Sequence, residues 1–108
     1  MRRPTIGNVQ GHASISTDVL ARYAADAVRE VDGVLGLAES PLPGRKGVRV
    51  STEDGRTSVE LHVRLAWGVS VPEVGRAVQL RVRDYLERMA EIEPERVDVV
   101  VDEIGPPS

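Results

Sequence analysis

Ser70-Val-Pro-Glu-Val-Gly-Arg-Ala-Val-Gln-Leu-Arg-Val-Arg-Asp-Tyr-Leu-Glu-Arg-Met89 is the stretch whose reading decides the fold. Ser70, with Glu73 three residues on, has the form of a capping box, in which each side chain satisfies a free backbone N–H at a helix start. Pro72 falls in the first turn, where a missing N–H costs little. Val71, Val74, Val78, Val82, Tyr85, Leu86 and Met89 recur at steps of three and four, the spacing of one buried helix face. The pattern predicts a helix roughly 30 Å long, about the width of a small domain. The rest of the chain should pack on it.

Immediately upstream, Thr57 to Trp67 alternates strictly. Val59, Leu61, Val63, Leu65 and Trp67 face one way; Ser58, Glu60, His62, Arg64 and Ala66 face the other. That is a strand covered on one side and wet on the other. Asp54-Gly55 just before it is a hairpin turn, since both residue types tolerate positive φ. Val48 to Ser51 is then the partner strand. Downstream, Glu93-Pro94 makes a turn and Arg96 to Ile104 a last strand, with Val97, Val99 and Val101 on its core side.

Towards the N-terminus, a helix is predicted from Asp18 to Val31 with Ser16 or Thr17 as N-cap and Leu20, Tyr23, Ala24, Ala27, Val28 and Val31 as its inner stripe. Arg22 and Asp26 are one turn apart and form its expected surface pair. Gly33 is the expected left-handed residue that ends it, with Val34 folding back as its hydrophobic contact. Gly11 to Ile15 reads as a short strand and Met1 to Gln10 as a flexible arm. Gly36 to Gly47, punctuated by Pro41, Pro43 and Gly44, reads as a connection with a basic tip at Arg45 and Lys46. The expected order is strand, helix, strand, strand, helix, strand. This is an α/β (α+β) two-layer sandwich with both helices on one face of a small mixed or antiparallel sheet. One domain spans 11–104, followed by a short tail at 105–108.

The bulk properties agree with a globular domain. The chain has 108 residues, 41% of them hydrophobic and 29% charged. Aromatic residues make up only 3%, so the core is aliphatic. A net charge of −3 argues against a dedicated nucleic-acid binder, which carries a basic excess. Cysteine is absent, which excludes disulfides, thiolate metal sites, iron–sulfur ligation by thiolate and cysteine nucleophiles. No run of about 18 apolar residues predicts a membrane span, and no apolar stretch follows Arg2 and Arg3 as in a signal peptide. The expected location is cytoplasmic.

No residue pattern specifies an active site. His12 and His62 are the only histidines, too few for a metal centre of the usual ligand count. His62 is expected as a solvated side chain among Glu60 and Arg64. The carboxylates at Glu91, Glu93, Glu95, Asp98, Asp102 and Glu103 are not placed in a cleft that would tune them for proton transfer. No catalytic, cofactor-binding or metal-ligating residue is expected. The candidate partner-binding residues are Arg76, Leu80 and Arg83, which follow one another away from the buried stripe of the long helix. An aliphatic residue rimmed by arginines suits a protein contact. The alternative is a small nucleic-acid-binding or regulatory module that uses these arginines with Arg45 and Lys46 on phosphates.

With these elements placed, the sequence resembles the alkaline shock protein family of bacteria, also called the envelope stress response protein family. The carrying stretches are Gly-His-Ala-Ser-Ile-Ser (11–16), Asp18-Val-Leu-Ala, Glu-Val-Asp-Gly-Val-Leu-Gly-Leu (30–37) and Gly-Val-Arg-Val (47–50). They continue with Val-Glu-Leu-His-Val-Arg-Leu-Ala-Trp-Gly (59–68), Ser-Val-Pro-Glu-Val (70–74), Val78-Gln79 and Arg-Val-Asp-Val-Val-Val (96–101). Trp67 stands where an aromatic such as Tyr is common. The resemblance implies a small, non-enzymatic cytoplasmic protein linked to cell-envelope homeostasis. It also implies self-association, a membrane-anchored protein as partner, no cofactor and no catalytic residues to carry over.

Overall fold

The computed structural model describes residues 16–38 and 47–106. The expected arm at 1–10, the expected strand at 11–15 and the basic tip at Arg45 and Lys46 lie outside them. Six elements follow in order: α1 (Thr17–Arg29), β1 (Val34–Leu37), β2 (Val48–Glu53), β3 (Arg56–Leu65), α2 (Val71–Ala90) and β4 (Arg96–Ile104).

Strand β3 is the centre of the sheet. It pairs antiparallel with β2 from Val48↔Leu61 to Glu53↔Arg56, through a tight turn in which Asp54 and Gly55 both have positive φ. Further along the same edge it pairs antiparallel with β1, with a bulge at Leu35. The two short strands thus lie end to end beside one long one. They meet at His62, whose N–H donates to the Gly47 carbonyl and whose carbonyl accepts from the Ala38 N–H. On its other edge β3 pairs parallel with β4, from Ser58↔Arg96 to Leu65↔Ile104. The sheet is therefore mixed, and α2 is the crossover between its two parallel strands.

Both helices cover one face. Val59, Leu61, Val63 and Leu65 of β3 are buried against Leu20, Ala24, Ala27 and Val28 of α1 and Val78, Val82 and Leu86 of α2. Fully burying a valine or leucine side chain stabilises by roughly 1.5–3 kcal/mol before entropy is counted. Tyr23 and Tyr85 join the helices edge to face, with centroids 6.1 Å apart. Across the outside of the same seam Arg81 donates to Glu30 at 2.7 Å.

Both helix starts are capped by the expected serine, although at Ser70 only that half of the capping box forms. The Ser16 hydroxyl accepts from the Val19 N–H, and the Ser70 hydroxyl from the Glu73 N–H. α2 ends on Glu91 in the left-handed conformation, where the Glu91 N–H donates to the Glu87 carbonyl and the Ile92 N–H to that of Leu86.

Four expectations are corrected. The segment after Gly33 does not simply fold back as a cap contact or open a connection: Val34 to Leu37 adds a strand. Met89, in the last turn of α2, is exposed although it follows Val82 by seven residues on the same stripe; Ala90 packs against the core there instead. Trp67 is 62% exposed because β3 stops at Leu65, so the alternation no longer places residue 67 over the core. Asp26 pairs with Arg29 at 3.1 Å rather than with Arg22.

Candidate functional site

Two surfaces carry the distinctive side chains. The first is the outer side of α2. Its inner stripe turns Val78, Val82 and Leu86 into the core, which leaves Arg76 and Leu80 exposed, Leu80 at 63%. Arg83 is different. It is half-buried and donates to the Pro94 carbonyl at 2.8 Å, tying α2 to the turn that leads into β4. Of the three residues marked out by sequence, the fold therefore presents Arg76 and Leu80 to solvent and folds Arg83 inward. The other α2 arginines are engaged as well: Arg81 with Glu30, and Arg88 with Asp84 one turn back. Arg76 has no ion pair among the described residues.

The second surface is the uncovered face of the sheet. Sequence reasoning treated His62 there as solvated, yet it is bonded at both ring nitrogens. Nε2 lies 2.6 Å from Glu60 Oε2, and Nδ1 lies 3.1 Å from each Asp102 carboxylate oxygen. Glu60 is two positions away on the same strand, so the β pleat brings it to the same face. Asp102 arrives through the parallel pairing of β4. A bulge there sets Val63↔Val101 and Arg64↔Glu103, and leaves Asp102 as the extra residue. Because ionised carboxylates only accept hydrogen bonds, both ring nitrogens are satisfied when both carry protons. The Glu60 bond first, then the Asp102 bond, holds the imidazole above its ordinary range. The same His62 bond holds the Glu60 carboxyl below its own.

With both ring nitrogens protonated, the triad is a closed ion cluster. Its two carboxylates approach from opposite ends of the ring and do not converge on a shared point. Among the described residues no group of three His, Asp or Glu side chains is placed to hold a metal ion. Arg64 with Glu103 and Arg96 with Asp98 extend the same alternation of charge over the face. At the hairpin end an open depression of about 270 Å³ is lined by Ser51, Glu53, Asp54, Arg56, Ser58, Glu95 and Arg96.

The model of the alkaline shock protein 23 family, described as having a cell envelope-related function, matches residues 5–106. The chain belongs to this family. The alkaline-shock resemblance carried by the sequence is the same assignment. Similar curated proteins are themselves uncharacterised. Spy1614 of Streptococcus pyogenes is 29% identical, over 92% of both chains. Spy1535 of the same organism is 31% identical, over 87% of this chain and 79% of that one. YqhY of Bacillus subtilis is 26% identical, over 82% of this chain and 73% of that one.

Among solved structures, the MamM CTD has the same fold. Residues 215–293 of that protein superpose with a TM-score of 0.60 at 15% identity, over 82% of this chain and 99% of that one. A nickel form of a variant superposes at 0.61 and 16%, over 80% and 96%. At such identity the likeness is one of architecture. Among the described residues of this alkaline-shock-family chain, no helix is long and apolar enough to cross a membrane.

Proposed function

We propose that this alkaline-shock-family protein is a non-enzymatic interaction module of cell-envelope homeostasis. It works in the cytoplasm by self-association and by contact with a membrane-anchored protein. The observation that carries the reading is Leu80. It stands on the outer side of the longest helix, more than half exposed, with Arg76 one turn before it. Neither contributes to the core. A leucine with an arginine beside it is a common composition for the centre of a protein contact.

The arginines of α2 fit this reading better than a phosphate-binding one. Arg81, Arg83 and Arg88 are each taken up inside the chain, which leaves Arg76 as the helix's uncommitted cation among the described residues. A phosphate-tracking surface needs several. The uncovered sheet face is also mixed in sign, with acids opposite most of its bases.

Light scattering after size-exclusion chromatography tests the reading. The wild-type protein should associate with rising concentration, and Leu80→Asp should weaken that association while leaving the unfolding midpoint in place. A wild type that stays monomeric at high concentration would remove the proposal.

A further inference from the structure

We infer that the edge of β2 left open among the described residues pairs antiparallel with β2 of a second copy, centred on Ser51, so that the sheets of two molecules become continuous. The inference rests on the self-association proposed above and adds to it a second contact surface, distinct from the one at Leu80 on α2.

Among the described residues the sheet has three edge strands, and two are blunted. β1 has four residues and carries a bulge at Leu35. β4 carries a bulge at Asp102, three acids, and an α2 side chain on its start, since Gln79 donates to the Val97 carbonyl. Such devices keep edges from pairing. β2 has no bulge, and its two charges, Arg49 and Glu53, are of opposite sign rather than all acidic. Its six residues contain no proline or lysine.

The ladder decides which of its groups face outward. The Gly47–His62 hydrogen bond makes Arg49↔Glu60, Ser51↔Ser58 and Glu53↔Arg56 the hydrogen-bonded pairs with β3. The N–H and C=O groups of Val48, Val50 and Thr52 therefore point away from β3. A second β2 that uses those groups must pair even positions with even ones. With the two-fold axis at Ser51, Val50 bonds Thr52 of the second copy and Thr52 bonds its Val50. In the same register Arg49 stands directly opposite the second copy's Glu53, and Glu53 opposite its Arg49. All four side chains lie on the uncovered face. The register one step either way places Arg49 opposite Ser51, or takes it beyond the strand opposite Gly55. Shifting two steps towards the strand's start sets Arg49 against Arg49. Only the Ser51 register is charge-complementary.

The helix layer accommodates this pairing. Tyr23 and Glu30 mark the flank of α1 that meets α2. At 3.6 residues per turn, Ala21 and Ala25 fall on the opposite flank, next to the β2 edge. Small side chains there let a second α1 approach beside the first.

The chain has no cysteine, so one introduced residue gives a clean test on the 108-residue chain. Directly opposed residues that are not hydrogen-bonded have Cα atoms about 4.5 Å apart, within the span a disulfide bridges. Under mild oxidation Ser51→Cys should form a covalent dimer quickly, and Ser58→Cys, one strand further in on the same face, should not. Arg49→Glu or Glu53→Arg should each weaken association about tenfold, since each sets like charges opposite one another twice per dimer. The double variant Arg49→Glu with Glu53→Arg should restore it. Ser51→Cys that cross-links no faster than Ser58→Cys in a protein that still associates would overturn the edge pairing alone. A strictly monomeric wild type would overturn both proposals. A disulfide closing within one chain in an Ala13→Cys, Ser51→Cys double variant would assign the edge to the protein's own N-terminal segment and also overturn the pairing.

Discussion

His62 Nδ1 lies 3.1 Å from both carboxylate oxygens of Asp102, a residue 40 positions away in the chain, while its Nε2 meets Glu60 at 2.6 Å. The bonds raise the imidazole above its ordinary value of 6.5 and lower Glu60 below 4.5. The signs fix a window. The histidine's contribution to stability is fully present below its ordinary value and is lost as pH rises through its higher folded value. The glutamate's is present above its ordinary value and is lost as pH falls through its lower folded value. Stability from the triad is therefore greatest between these two ordinary values and declines on the alkaline side. The groups are about a third or more exposed, so the change should stay below about 1 kcal/mol. Urea unfolding at intervals from about pH 5 to 9 should show the decline in the wild type and not in His62→Gln, and an NMR titration of the His62 ring should read a raised midpoint.

Gly47 fixes the junction where β1 and β2 share β3. Its φ is +79°, and a Cβ added there would sit 2.7 Å from the Ala38 carbonyl and 2.8 Å from the His62 carbonyl. Both obstacles are backbone, and neither can swing aside. Gly55, in the hairpin turn, has a similar φ of +76° but open space around it. A left-handed non-glycine residue costs about 1–2 kcal/mol. Gly55→Ala should lose about that much, and Gly47→Ala more than about 2 kcal/mol, by denaturant unfolding.

Those two sites also mark where sequence reasoning ends. The α2 helix, its Ser70 cap, the α1 stripe, the Asp54-Gly55 hairpin and the alternation of β3 are all local patterns with periods of two or 3.6, and all are present in the fold. β1 was missed because four partly exposed residues around Gly36 carry no such period. The His62–Asp102 contact was missed because it depends on which strand lies beside β3 and on a bulge at Asp102, neither of which spacing along the chain encodes. Arg83 shows the same limit. Its position on the helix is legible, but the Pro94 carbonyl it reaches is set by how the chain turns after Glu91.

Exposure, rather than size, should rank the large hydrophobic residues in mutational cost. Leu61 is fully buried at the centre of β3, whereas Trp67 lies beyond its end. Leu61→Ala removes packed methyl groups and leaves a cavity, at about 2–5 kcal/mol. Trp67→Ala, the larger deletion, should change stability by no more than about 0.5 kcal/mol. Thermal and urea unfolding of the two variants side by side reads the difference.

Arg76 and Arg83 look alike in sequence, and the structure separates them. The Arg83 guanidinium donates to the carbonyl of Pro94, which is itself buried, so the bond joins α2 to the turn before β4. Truncation leaves that carbonyl without its charged donor, a loss of about 1–3 kcal/mol. Lys at this position should recover only part of it, because the ammonium lacks the planar fork that holds the guanidinium in place. Arg76 is exposed and unpaired among the described residues, so Arg76→Ala should leave stability within about 0.5 kcal/mol. Its effect belongs to association, where it should act in the same direction as Leu80→Asp. Unfolding midpoints and concentration-dependent light scattering on both variants give opposite patterns: Arg83→Ala lowers the first, and Arg76→Ala lowers only the second. A matching loss of stability in both would mean that Arg76, too, is part of the fold, and would leave Leu80 as the sole contact residue of that helix face.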